Sequence, residues 1–382
     1  MRLVHTSDWH LGRLFHGVHL TPDQAFVLDQ LLDFVRDSRP EAVLVAGDVF
    51  DRAVPPPEAV ELLDDVLSRL VLGLKVQVIL IAGNHDSPIR LSFGHRIMAQ
   101  TGLHVRGELS ADPAPVMLAD SSGTVAVYAL PYAEPAMVRD RLSAPDALDH
   151  HAAMAARIRS CAPPPPPRSR SIIVAHAFVS GGSPCESERP LTLGGTGLVE
   201  GSVFEGFDYA ALGHLHRPQD VGQPKIHYPG SLLKYSFSEI KDTKSVSLIE
   251  MDHRGRVSLE RAALTPRRDL RRIEGLMKDL LDGPAQGQNR EDYLLVSLLD
   301  KGALLDPMGR LREVYPNILH LERPFLNVEG RVSGPGMDHL RRSETELFAD
   351  FFEQVTSEAL NGEEADKFAQ ILEGWRRMER DA

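Results

Sequence analysis

Five short runs in the first 216 residues each end in residues that bind metals or move protons. Arg2 to Thr6 leads into Ser7-Asp8-Trp9-His10-Leu11-Gly12, Ala42 to Ala46 into Gly47-Asp48, and Val76 to Ala82 into Gly83-Asn84-His85-Asp86. Ser171 to Ala175 ends at His176, and Asp208 to Leu212 at Gly213-His214-Leu215-His216. Each run has the length of a buried strand. Between the first three lie two helical spacings. One follows Thr21-Pro22 through Val27, Leu28, Leu31, Leu32 and Val35; the other follows Pro57 through Val60, Leu63, Val66, Leu67 and Leu70. This β-α-β-α-β order predicts an α/β fold whose parallel strands are covered by helices on both faces. The C-terminal ends of such strands share one edge, where ligands bind, so residues as distant as Asp8 and His216 can converge. Pairs two apart, Asp8/His10 and His214/His216, point the same way only if the backbone stays extended.

Taken singly, a Gly-Asp or a His-x-His is ordinary turn or surface chemistry, and Asn84 suits a turn because asparagine tolerates left-handed backbone. Five such endings in succession are a metal site. Histidine is the commonest metal ligand, so where the 16 histidines fall matters more than their number. The formal charge of −12 argues against bulk attraction to nucleic acid, and binding to DNA without metal or partner should be weak and salt-sensitive. Two cysteines, Cys161 and Cys185, cannot build a disulfide framework, so a reducing cytoplasm is the expected setting. No apolar run reaches membrane-spanning length, and the opening residues show no leader pattern.

Further along, a helix is expected near Phe93 to Gln100, extended chain over Thr124 to Leu130, and a helix around Ala147 to Ile158. Pro163 to Pro167 reads as a polyproline connection, and Gly181 to Gly201 as a long loop of the kind that is functional or mobile. Near Pro266 the texture changes to Arg267-Arg268-Asp269-Leu270-Arg271-Arg272, read as a helix start running to Leu281, and a domain boundary is expected there. Gly334-Pro335-Gly336 separates a last helical segment with Leu347, Phe348, Phe351, Phe352 and Val355 at helical spacing. No P-loop is present.

The five endings resemble the calcineurin-like metallophosphoesterases, and more closely the SbcD-type nucleases within them. The closer likeness rests on Ser7-Asp8-Trp9-His10-Leu11-Gly12, Gly47-Asp48-Val49-Phe50-Asp51, Tyr228-Pro229-Gly230-Ser231, Tyr235-Ser236-Phe237 and Leu311-Arg312-Glu313-Val314-Tyr315-Pro316-Asn317. It implies a double-sheet sandwich flanked by helices over residues 1–265, a small α+β DNA-capping domain over 266–332, and a C-terminal helical segment over 337–382. By the same resemblance Asp8, His10 and His216 hold one divalent ion and Asn84, His176 and His214 the other, with Asp48 bridging. His85 is the non-ligand that protonates the leaving group or steadies the phosphoryl oxygens, with Asp86 expected to orient its ring. Two ions about 4 Å apart would clamp the oxygens of an in-line displacement at phosphorus, with roughly two positive charges left over for an anionic ester.

Four imidazoles are too nitrogen-rich for magnesium; the family implies manganese, although the ligands alone would accept iron, zinc or cobalt. The resemblance further implies 3′–5′ exonuclease and endonuclease activity on DNA ends and hairpins, in repair and recombination. It also implies an SbcC-type ABC ATPase as partner, gripped by the terminal helix, and a homodimer formed through the helices near Pro57 to Leu70 and Phe93 to Gln100. The competing reading is a metallophosphodiesterase for a small molecule or cyclic nucleotide. The arginines at 267, 268, 271 and 272 form a candidate phosphate track, with a solvated helix start as the plainer reading.

Overall fold

The computed structural model describes residues 1–161, 170–191, 197–326, 344–356 and 359–380. The expected polyproline connection Pro163 to Pro167 and the Gly334-Pro335-Gly336 separator lie outside them. The chain divides into two compact units, Met1–Asp269 and Leu270–Ala382.

The first unit is built on two six-stranded sheets. In one, Arg2–Thr6, Ala42–Val45, Gln77–Ile81 and Leu103–Arg106 run parallel, and Ser245–Met251 and Val257–Ala263 extend the Arg2–Thr6 edge antiparallel. In the other, Gly123–Leu130, Arg170–His176, Tyr209–Gly213 and Gln223–Tyr228 run parallel, flanked by antiparallel Val116–Asp120 and Gln219–Val221. One buried cluster joins Leu3, Ala42, Leu44, Ile79 and Ile81 of the first sheet to Val125, Val127, Ile172, Val174 and Ala211 of the second. The sheets therefore cover each other, where helices on both faces had been expected from the runs alone. An apolar strand face demands burial but does not say by what. Helices take the outer faces: Thr21–Ser38 buries Val27, Leu28, Leu31, Leu32 and Val35, and Pro57–Ser68 buries Leu63 and Val66.

The five strands read from the sequence are thus shared between the sheets, three in one and two in the other. What brings their ends together is a close approach of backbones. A Cβ on Gly213 would overlap the Ala46 carbonyl oxygen, and one on Gly47 would overlap His176 Nδ1. The absence of side chains there allows the sheets to meet.

The second unit holds three parallel strands, Leu270–Gly275, Tyr293–Leu298 and Ile318–Glu322, with short helices Met277–Leu280 and Pro307–Arg312. Leu294, Val296, Leu298, Leu311, Tyr315 and Ile318 form its core. The helix expected from Arg267 to Leu281 is mostly a strand: Leu270 is buried and alternation follows along Arg271, Arg272 and Ile273 as the segment pairs with Tyr293–Leu298. Partner strands override the helical tendency of an arginine-rich stretch. The helix expected over Phe93 to Gln100 is likewise cut to His95–Met98, entered through left-handed Gly94 and followed by one tight turn. At the far end, Glu344–Thr356 and Gly362–Arg380 are helices, and Phe348 stacks on Phe368 at 3.7 Å.

Candidate metal centre

The ends of the five strands and the loops that follow them carry the expected ligands into one cluster, buried except for half-buried Asn84. Asp8, His10 and His216 have ligand atoms within 4.8 Å of one another, and so do Asp8, Asp48 and His176. His10 Nε2 lies 3.1 Å from His216 Nε2, and Asn84 Oδ1 lies 2.9 Å from His176 Nε2 and 3.3 Å from His214 Nδ1. Asp48 Oδ2 stands between the groups, 3.7 Å from His10 Nε2 and 3.4 Å from His176 Nε2.

The backbone reaches this arrangement by leaving the extended conformation. Asp8, His10, Asp48 and His214 have φ of 52°, 46°, 49° and 112°. The extended backbone that would align Asp8 with His10 and His214 with His216 by strand alternation is therefore absent, because the strands have already ended at Thr6 and Gly213. Left-handed backbone in residues other than glycine costs about 1–2 kcal/mol each and gathers at functional sites. Hydrogen bonds hold it here: Asp8 N–H donates to Gly47 O and His10 N–H to Asp48 O, both at 3.0 Å. The His214 N–H donates to the Asp8 carboxylate at 3.1 Å, tying one sheet's loop to the other's. Buried Gln24, reaching from the first helix, gives its amide N–H to the carbonyls of Trp9 and His10.

The donor set fits cations. His176 gives its Nδ1 proton to Ala46 O at 2.9 Å, leaving Nε2 turned toward Asn84 Oδ1 and Asp48. Burial opposes charge on this ring, yet the Asp48 and Asp8 carboxylates outweigh it and push it up to about 9. Burial, reinforced by Asp48 against the opposing pull of His176, pushes Asp8 up to about 7. Protons thus collect where carboxylates crowd, which is where a divalent ion would replace them. Manganese uptake should therefore release about one to two protons at pH 7, and apparent affinity should climb as pH rises through 7 toward 9. Calorimetry in buffers of differing ionisation enthalpy measures this; uptake without proton release would contradict it.

His85 sits beside the cluster. Its Nδ1 donates to Asp51 O at 2.8 Å, its backbone N–H donates to Asp48 Oδ1 at 2.8 Å, and its Nε2 lies 4.0 Å from Asp48 Oδ2. Asp86 does not orient this ring, contrary to expectation. Its carboxylate is consumed by the N–H groups of Val49, Phe50 and Gly83 at 2.9–3.0 Å, so it fixes the Asp48 and Asn84 loops instead. The residue that does hold His85 is Asp51, through its carbonyl, and the Asp51 carboxylate lies 3.5 Å from His10 Nδ1 and 2.8 Å from Arg13. Sequence reasoning gave Asp51 no role, although it stands three residues after Asp48.

The arginine track is mostly spoken for. Arg268 pairs with Asp23 at 3.3 Å, Arg271 with Asp292 at 2.6 Å and Arg272 with Glu322 at 3.2 Å. Arg267 is exposed.

The sequence pattern of the calcineurin-like phosphoesterases matches residues 1–218. The chain belongs to that family. A second pattern, that of the type 5 capsule protein repressor C-terminal domain (SbcD_C), matches residues 266–356. Together they mark an SbcD-type nuclease of the metallophosphoesterase superfamily. Similar solved structures include TT1561 of Thermus thermophilus, at 13% identity and TM-score 0.38 over 69% of this chain and 99% of that one. The Plasmodium protein GAP50, described as the anchor in the inner membrane complex, gives 11% and 0.41 over 88% and 99%. A dimetal phosphatase from Danio rerio gives 12% and 0.38 over 69% and 98%. Among the described residues, no helix is long and apolar enough to cross a membrane.

Proposed function

We propose that the protein is a manganese-dependent DNA nuclease, cutting 3′–5′ from ends and opening hairpins as the catalytic subunit of an SbcCD-type complex in the cytoplasm. The observation that carries this reading is that one chain joins the clustered groups Asp8, His10, His216 and Asp8, Asp48, His176, each able to hold a metal ion, to an SbcD-type C-terminal region. In this reading Asp8, His10 and His216 hold one ion, Asn84, His176 and His214 the other, and Asp48 both. When bound, the ions would supply charge stabilisation at the phosphoryl oxygens and activation of the attacking water. The chain's own residues do the rest. His85, anchored at Nδ1, turns Nε2 toward the leaving oxygen and hands it a proton. Asp51 and Asp86 keep the Asp48–His85 loops from shifting.

Partners follow from what is left uncovered. Ile89, Phe93 and Ile97 are 74–85% exposed near helix Pro57–Ser68, an apolar surface suited to a second copy of the chain within a heterotetramer. In helix Glu344–Thr356 Phe351 stays exposed, and this segment is assigned to an SbcC-type ATPase, which would bring the P-loop this chain lacks. The deciding experiment offers the manganese-loaded chain labelled duplex and hairpin DNA beside a generic phosphodiester, with and without the ATPase and ATP. Cleavage of DNA supports the reading. Turnover of the small ester alone under every condition would replace it with a small-molecule phosphodiesterase.

A further inference from the structure

His216 is held more tightly than any motif requires. Its ring is 1% exposed, and its Nδ1 lies 2.7 Å from Ser187 Oγ, which belongs to the long loop between the fourth and fifth strand ends. Ser187 Oγ in turn lies 2.6 Å from Glu239 Oε1. Glu239 is fully buried, and its other oxygen accepts from Lys244 Nζ at 2.5 Å. Oε1 also accepts from Tyr235 N–H at 3.2 Å and Ser236 Oγ at 3.0 Å, so the Tyr235-Ser236-Phe237 motif serves to seat this carboxylate. The backbone of His216 is pinned as well. Its N–H donates to Glu188 Oε1 at 2.7 Å, while its carbonyl accepts from Lys244 Nζ at 2.7 Å and Ser231 N–H at 3.1 Å.

The direction of the protons follows from the chemistry of each group. A carboxylate paired with a lysine ammonium accepts hydrogen bonds and donates none. Ser187 has one hydroxyl proton, and Glu239 takes it. The serine oxygen can then meet His216 Nδ1 only as acceptor, so the imidazole proton sits on Nδ1. Nε2 is left with its lone pair, facing His10 Nε2 at 3.1 Å.

We propose that Ser187 is a positioning residue which, directed by the buried Glu239–Lys244 pair, fixes the His216 tautomer and thereby sets the affinity of one of the two metal ions. The inference rests on the ligand assignment proposed above. It is specific to one ion, because the His176 tautomer is fixed separately by Ala46 O. Partners that orient metal-bound histidines are typically worth about 10- to 100-fold in affinity.

The test uses the full-length chain, stripped of metal and titrated with manganese, together with nitrogen NMR of the His216 ring in the metal-free protein. The parent should bind two ions and show His216 protonated at Nδ1. Ser187→Ala should keep one ion at parental affinity, weaken the other about 10- to 100-fold, and lose the single tautomer. Ser187→Thr, which keeps the hydroxyl, should restore both. Ser187→Ala with parental affinity for both ions would overturn the proposal, as would an unchanged tautomer. A parent that binds fewer than two ions would overturn the ligand assignment instead, while the tautomer of the metal-free protein still judges the relay.

Discussion

Asp48→Asn should cut phosphodiester turnover by about 1,000-fold or more, equivalent to about 4 kcal/mol of barrier, and should abolish tight uptake of both ions. Asp48 reaches toward both ligand groups, with Oδ2 3.7 Å from His10 Nε2 and 3.4 Å from His176 Nε2. Burial opposes its charge, yet His176, His10 and His85 together hold its carboxyl well below the usual range, so it is anionic at any working pH. Asparagine preserves the shape and can still accept the His85 N–H now bonded at 2.8 Å. It also tolerates the left-handed backbone at φ 49° better than most residues. The substitution therefore removes charge while leaving the loop its contacts, and circular dichroism should report a folded variant. Manganese counted by titration and turnover of a phosphodiester should fall together. Turnover within tenfold of the parent would show that Asp48 does not bridge.

How the structure reaches this geometry marks the limit of what was readable beforehand. The strand ends at Asp8, Asp48, Asn84, His176 and His214 were legible because successive apolar runs that each close on a metal-binding side chain have one natural reading in an α/β sheet. Their distribution over two sheets was legible only through the family resemblance and not from the runs themselves, since Ile172 or Leu44 is equally satisfied under a helix or under another sheet. The left-handed turns at Asp8, His10 and His214 were hidden for a related reason: backbone conformation there is imposed by cross-sheet bonds such as His214 N–H to Asp8. Supporting residues were harder still. Ser187 and Glu239 meet across 52 positions with no recurring spacing to announce them, and a serine among charged loop residues looks like solvent-facing chain. Asp86 misled because adjacency in sequence suggested a partner for His85, whereas three backbone N–H groups claim its carboxylate. The arginines misled because a charge run says nothing of internal partners; Arg271 is held by Asp292.

His85→Ala should leave both ions bound and lower DNA cleavage by about 100- to 10,000-fold, the range of general acid–base catalysis. The separation of binding from turnover is argued from geometry. Alanine keeps the backbone N–H that bonds Asp48 Oδ1, so the bridging carboxylate retains that anchor. What disappears is the ring, its 2.8 Å bond to Asp51 O, and its edge contact with the His10 ring at 4.7 Å. The identity of the leaving group then tests the role assigned to the ring. A deoxyribose alkoxide leaves poorly without a proton, whereas p-nitrophenolate leaves readily without one. The loss should be large on DNA and under about tenfold on the p-nitrophenyl ester, because an acid accelerates only the step that needs a proton. Asp48→Asn, by contrast, should damage both substrates alike, since it removes the ions on which both depend. Equal losses on the two esters in His85→Ala would reassign the histidine from proton donor to phosphate holder. Loss of manganese in step with activity would make it a ligand.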